Sequence, residues 1–104
     1  MWFSVNLLFV ARHSAKDSAD LWEERILLIE GDTESEVERK AKALAVQDQP
    51  SFQVAGGDSV QWSFEQVERI FPIEASTLES GTVLFCRFLR NEEVMSILRP
   101  FGDK

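Results

Sequence analysis

Large apolar side chains occupy every second position through Phe3, Val5, Leu7 and Phe9, with Ser4 and Asn6 between them. A period of two predicts a strand over Trp2–Ala11 with one buried face. Leu8 and Val10 make its other face partly apolar as well. The stretch His13–Asp20 is small, polar and aperiodic, and reads as an exposed loop. Alternation resumes over Leu21–Glu30, so the two runs predict an antiparallel pair joined by a long loop, and Gly31 ends the second run.

The period then changes. Thr33 followed by Glu36 has the spacing of a capping box. Glu34, Glu36 and Glu38 precede Arg39, Lys40 and Lys42, the charge order that suits a helix dipole. The pairs Glu36/Lys40 and Glu38/Lys42 stand four residues apart in the favourable direction. Val37, Ala41, Leu44 and Ala45 form a narrow apolar stripe. These features predict a helix with one face on a sheet, ending near Gln47 ahead of Gln49-Pro50.

The second half is rich in strand signals. Phe52 and Val54, the turn residues Ala55–Ser59, and then Val60, Trp62 and Phe64 predict a hairpin. The phase slips between Phe64 and Ile70, which a bulge absorbs, and Pro72 confines pairing near the strand end. Glu79–Gly81 reads as a turn and Thr82–Leu89 as a last strand. Asn91 is placed to cap a short helix with a Val94, Ile97, Leu98 stripe, which Pro100 stops. The order is β-β-α-β-β-β-α. It predicts one α+β domain over residues 1–104, with an antiparallel sheet of about five strands and the main helix packed on one face. One helix covers one face only. Trp2, Leu8 and Val10, Trp22, Ile26 and Leu28, and Leu84 and Phe88 crowd the other. That face is expected to be covered by a partner, most simply a second copy in a homodimer.

Three segments carry a family resemblance: Trp2–Phe9, Leu21–Glu30 running into the acidic helix start, and Gly57–Val67 followed by Gly81–Arg87. Their order and spacing are similar to those of a family of small bacterial proteins catalogued as a domain of unknown function, the 4288 group. The resemblance spans roughly Trp2–Leu89 and implies a bacterial cytosolic single domain. It brings no activity, cofactor or catalytic residue with it.

Composition narrows the function classes. The 104 residues hold 18 acidic and 11 basic side chains, a formal charge of −7 spread over both halves. A phosphate-binding surface needs the opposite sign, so no nucleic-acid partner is expected. No apolar run approaches the ~20 residues of a membrane-spanning helix, so no membrane partner is expected either. Met1–Val5 has neither a basic flank nor a small-residue cleavage site, and no secretory signal is expected. The single cysteine excludes an internal disulfide and a multi-cysteine metal site, consistent with a cytoplasmic location.

Candidate chemistry is sparse. His13 is the lone histidine, in a polar loop, where a solvated side chain is the plain reading. With one His and one Cys, zinc ligation is rejected, and no cofactor is expected. Cys86 inside an apolar strand reads as a buried thiol rather than a nucleophile. Trp2, Trp22 and Trp62 suit a stacking platform for single strands, but the net charge opposes that use. Charges within apolar strand faces are more telling, because they are costly unless paired. Glu24 shares a face with Trp22 and Ile26, and Arg87 one with Phe85 and Leu89. The plain reading is a Glu–Arg pair at a sheet rim or interface. The sharper one is a polar pocket of Glu24, Arg87 and Trp62, beside Trp22, for a small anionic or aromatic ligand. No catalytic set emerges. The leading expectation is a non-catalytic protein-interaction module or small homo-oligomeric subunit, including an immunity- or antitoxin-like protein that masks a basic partner. The alternative is a small-molecule-binding or enzymatic domain built around Glu24 and Arg87.

Overall fold

The computed structural model describes residues 1–13, 19–47, 51–53 and 59–99. Its elements are β1 (Trp2–His13), β2 (Ala19–Glu30), α1 (Glu34–Gln47), β3 (Ser51–Gln53), β4 (Ser59–Pro72) and α2 (Asn91–Leu98). They form an α+β fold. Three long antiparallel strands and the three-residue β3 make one sheet in the order β2-β1-β4-β3. The predicted β1–β2 pair is present, with Phe3 opposite Ile29 and Val10 opposite Trp22. The β3–β4 hairpin is present too, with Phe52 opposite Val60. The turn expected at Ala55–Ser59 falls mainly outside the described residues, as do Val54, Pro100 and most of the expected His13–Asp20 loop.

The odd positions of β1 build the core. Phe3, Val5, Leu7 and Phe9 are buried with Ile29 of β2 and with Val37, Ala41 and Ala45 of α1, while Leu27, Trp62, Phe64, Val67 and Ile70 pack at the edge of this cluster. Phe9 and Phe64 meet edge to face, with ring centroids 5.7 Å apart. The helix joins the sheet through a tight corner. Thr33 Oγ1 accepts the Glu36 N–H at 3.2 Å, and Glu36 Oε1 accepts the Asp32 N–H at 2.7 Å. The capping box therefore reaches back one residue further than the spacing predicts. Leu44, expected in the buried stripe, is about half exposed; Val37, Ala41 and Ala45 alone meet the sheet, because three small side chains let the helix lie close.

The phase slip in β4 is a double bulge. The register against β1 shifts between Asn6 and Leu7 and again between Leu8 and Phe9, so Glu68 and Glu65 are the extra residues. His13 ends β1 opposite Val60 rather than lying in an exposed loop.

Two expectations about the C-terminal third are corrected. Thr82–Leu89 is not a fifth strand: among the described residues it has no ladder partner, and it runs as an arm after the Glu79–Thr82 turn, where Gly81 takes φ +96°. Alternating side chains specify two unlike faces but not a hydrogen-bonding neighbour. The arm lies over the sheet, not along its edge: Ser4 Oγ donates to the Leu84 carbonyl, and the Phe71 and Phe85 rings meet 5.6 Å apart. For the same reason Cys86 is exposed, not buried. Among the described residues the element order is thus β-β-α-β-β-α, with four strands instead of five. At α2 the cap is Arg90, one residue before the expected Asn91, and Glu93 Oε1 accepts the Arg90 N–H at 2.7 Å.

Candidate interaction surface

The side of the sheet away from α1 is built from the even positions of β1. Ser4, Asn6, Leu8 and Val10 stand opposite Leu28, Ile26, Glu24 and Trp22 on β2, and opposite Phe71, Arg69, Gln66 and Ser63 on β4. Residues directly opposite in an antiparallel pair share a face, so the register places all of these together. The centre of this face is covered: Ser4, Asn6 and Val10 are buried. Its β4 side is roofed by the arm. Its β2 side is open, and Trp22 and Ile26 are each 51 % exposed, with Leu28 at 45 %.

Two polar groups interrupt the apolar surface. Asn6 Nδ2 donates to Glu24 Oε2 at 3.0 Å, while Asn6 Oδ1 is buried and accepts no hydrogen bond. On the other side Glu68, displaced by the bulge, pairs with Arg69 Nε at 3.4 Å and with Arg87 of the arm at 3.6 Å. One carboxylate oxygen of Glu68 is shielded from solvent without a hydrogen bond. The Arg69 and Arg87 guanidiniums both lie 5.8 Å from the Phe85 ring centroid. The bulge thus anchors the arm through one acidic residue held between two cations.

The four residues singled out from the sequence are not brought into one cavity. Trp22 and Glu24 share the open β2 side. Trp62 packs against the core on the α1 side, opposite Ala11. Arg87 lies over β4 and pairs with Glu68, and Glu24 bonds Asn6 instead. A cleft of about 420 Å³ does open beside Arg87, lined also by Glu68, Arg69, Phe88, Glu93 and Ile97, but neither Glu24 nor Trp62 reaches it. Sequence reasoning missed Glu68, Arg69 and Glu93. The phase slip in β4 was the available signal, because a bulge re-aims the residue it inserts. Among the described residues no cluster of three or more His, Cys, Asp or Glu side chains is placed to hold a metal ion. None of their helices is long and apolar enough to cross a membrane.

Beyond Arg87 the chain faces its own sheet only across the cleft beside that residue. Phe88 is fully exposed, and α2 has no buried residue and no close backbone approach to any strand or to α1. The same order of segments that suggested a family now has its structural counterpart: strand, strand, capped helix, and a long bulged strand leading into the arm. A family model, Domain of unknown function (DUF4288), matches residues 2–86. The chain belongs to the DUF4288 family. The match runs from the first residue of β1 to Cys86, so it takes in the whole sheet, α1 and the arm up to the residue before Arg87. Phe88 and α2 lie beyond the matched part of this DUF4288 protein. Comparison with curated proteins and with solved structures found no match.

Proposed function

We propose that this DUF4288 domain is a non-catalytic protein-interaction module that acts as a homodimer through the sheet face opposite α1. One observation supports the reading. Large apolar side chains stand exposed on that face and on the arm that leaves it: Trp22, Ile26 and Leu28 on β2, and Phe88, Met95 and Leu98 beyond. Apolar surface of this extent, bordered by charge, marks a contact with another protein.

Sedimentation equilibrium across a wide concentration range tests the proposal. The expected species is twice the chain mass and persists on dilution. Trp22 fluorescence reads the same event, because covering a half-exposed indole shifts emission to shorter wavelength as concentration rises. A strict monomer at high concentration would overturn self-association and turn the search to a foreign partner, whose chemistry the −7 charge biases toward a basic surface.

A further inference from the structure

The open side of β2 and one side of the helix α2 both expose apolar side chains, and the two do not meet within one chain. Glu93, Ser96 and Ile97 of α2 line the cleft against Glu68 and Arg69 of β4. These three positions share one side of a helix. Met95 and Leu98 occupy the opposite side, 40 % and 68 % exposed, while Val94 beside them is half-buried. The uncovered strip Trp22, Ile26, Leu28 lies on β2, and β1 separates β2 from β4. At the usual strand spacing that sets it about 10 Å beyond β4.

Resting on the homodimer reading, we infer that α2 is an exchanged element: the Met95, Leu98 side of one copy, with Phe88, seats on the Trp22, Ile26, Leu28 strip of the other, and the reverse contact closes the pair. Three observations favour a second copy as the occupant. The first is charge. Arg87–Arg99 sums to +1 in a chain of net −7, whereas Leu21–Glu30 sums to −2. Arg87 pairs with Glu68 and Arg90 with Glu93 inside the chain, so the complement to the β2 glutamates rests on Arg99 at the end of α2. The second is size. An eight-residue helix is about 12 Å long and the strip from Trp22 to Leu28 about 20 Å, so α2 and Phe88 together run along it. The third is symmetry. Each copy offers one helix and one strip, so a single two-fold axis satisfies both contacts and leaves no open end for further addition.

The test uses two full-length variants, Ile26→Arg and Leu98→Glu. Both positions are exposed, so each chain is expected to keep its far-UV circular dichroism. Each variant alone breaks both contacts of its dimer and is expected to raise the dimer dissociation constant by at least about tenfold. An equimolar mixture is expected to dimerise at a concentration where neither variant alone does. The mixed pair retains one natural contact, from the intact helix of the first chain to the intact strip of the second. Its other contact places the introduced glutamate against the introduced arginine. If both variants are monomeric and their mixture is monomeric as well, exchange is overturned while self-association through this face stands. If either variant dimerises like the natural chain, that side chain is not in the contact and the inference fails. If the natural chain is itself a monomer, the homodimer reading falls with it. The pair Trp22→Arg and Phe88→Glu repeats the design at independent positions, and failure of that mixture to dimerise would likewise overturn exchange.

Discussion

Individual residues hold this fold at places where no substitute fits. Gly31 sits in the corner between β2 and α1, and a Cβ there would stand 2.8 Å from Val37 Cγ2 and 3.0 Å from Glu36 Oε1. Val37 is fully buried and cannot yield, so Gly31→Ala is expected to destabilise by about 1–3 kcal/mol, the usual cost of overpacking, read as a lower urea midpoint at unchanged slope. Asn6 presents a different problem. Its side chain is 1 % exposed and its amide nitrogen has Glu24 as its partner. Glu24→Ala removes that acceptor and is expected to cost about 1–3 kcal/mol, the penalty for stranding a buried donor. Glu24→Gln keeps an acceptor oxygen and is expected to cost less. Both outcomes separate a structural carboxylate from a ligand-binding one. The sequence shows Glu24 as a charge on an apolar face, and that much is visible in the alternation. Its partner is not visible, because Asn6 is opposite Ile26, next to Glu24's own register position, and only the pairing of β1 with β2 brings them together.

At the scale of elements, local chemistry was read well wherever the stabilising groups are neighbours in sequence. The first turn of α1 is the clearest case. The Asp32 N–H and the nearby Lys40 hold the Glu36 carboxyl below the usual carboxylate range. A group whose folded pKa is depressed contributes stability above its unfolded pKa, and that contribution is lost as pH falls through the folded value. Acid titration from about pH 6 to about pH 3 is therefore expected to lower the stability of the natural chain more than that of Glu36→Gln. Thr33→Ala removes the acceptor for the Glu36 N–H and is expected to cost about 1 kcal/mol in either pH regime. Glu93 is held low in the same manner by the Arg90 N–H and guanidinium at the start of α2. Because α2 faces β4 only across a cleft and makes no close backbone approach to it, its cap is expected to govern the helicity of α2 with little change in global stability. Helical content of Glu93→Ala measured beside its urea midpoint checks this. A fall in the midpoint would place α2 inside the folded unit. Thr82–Leu89 departs from expectation at this same scale: its alternation is real, yet only Thr82 and Phe85 are partly covered, and the arm meets the sheet at points instead of along a ladder.

The whole molecule is a half-finished sandwich. One sheet face is closed by α1, and the other is closed over β1 and β4 but not over β2. Salt separates the two forces proposed to complete it. Arg87–Arg99 against Leu21–Glu30 is an electrostatic contact at the rim of an apolar one, so added salt is expected to weaken dimerisation modestly without abolishing it. Dimer dissociation constants across a salt series check this, and complete loss at high salt would mean that the apolar strip is not in the contact. The sequence by itself determined the four paired strands, though not that Thr82–Leu89 stays unpaired, together with the capped helix, the phase slip in β4 and the surplus of apolar surface, because periodicity, capping and net charge are local or summed properties of the chain. It also determined family membership through the order of its motifs. Only the tertiary structure decided which side chains meet. Strand order placed β1 between β2 and β4, the bulge turned Glu68 toward Arg87, and the arm crossed over the sheet instead of joining it. Trp62 and Glu24 ended on opposite faces for the same reason: a face is assigned by register between strands, and register is a property of pairs that no single run of residues contains.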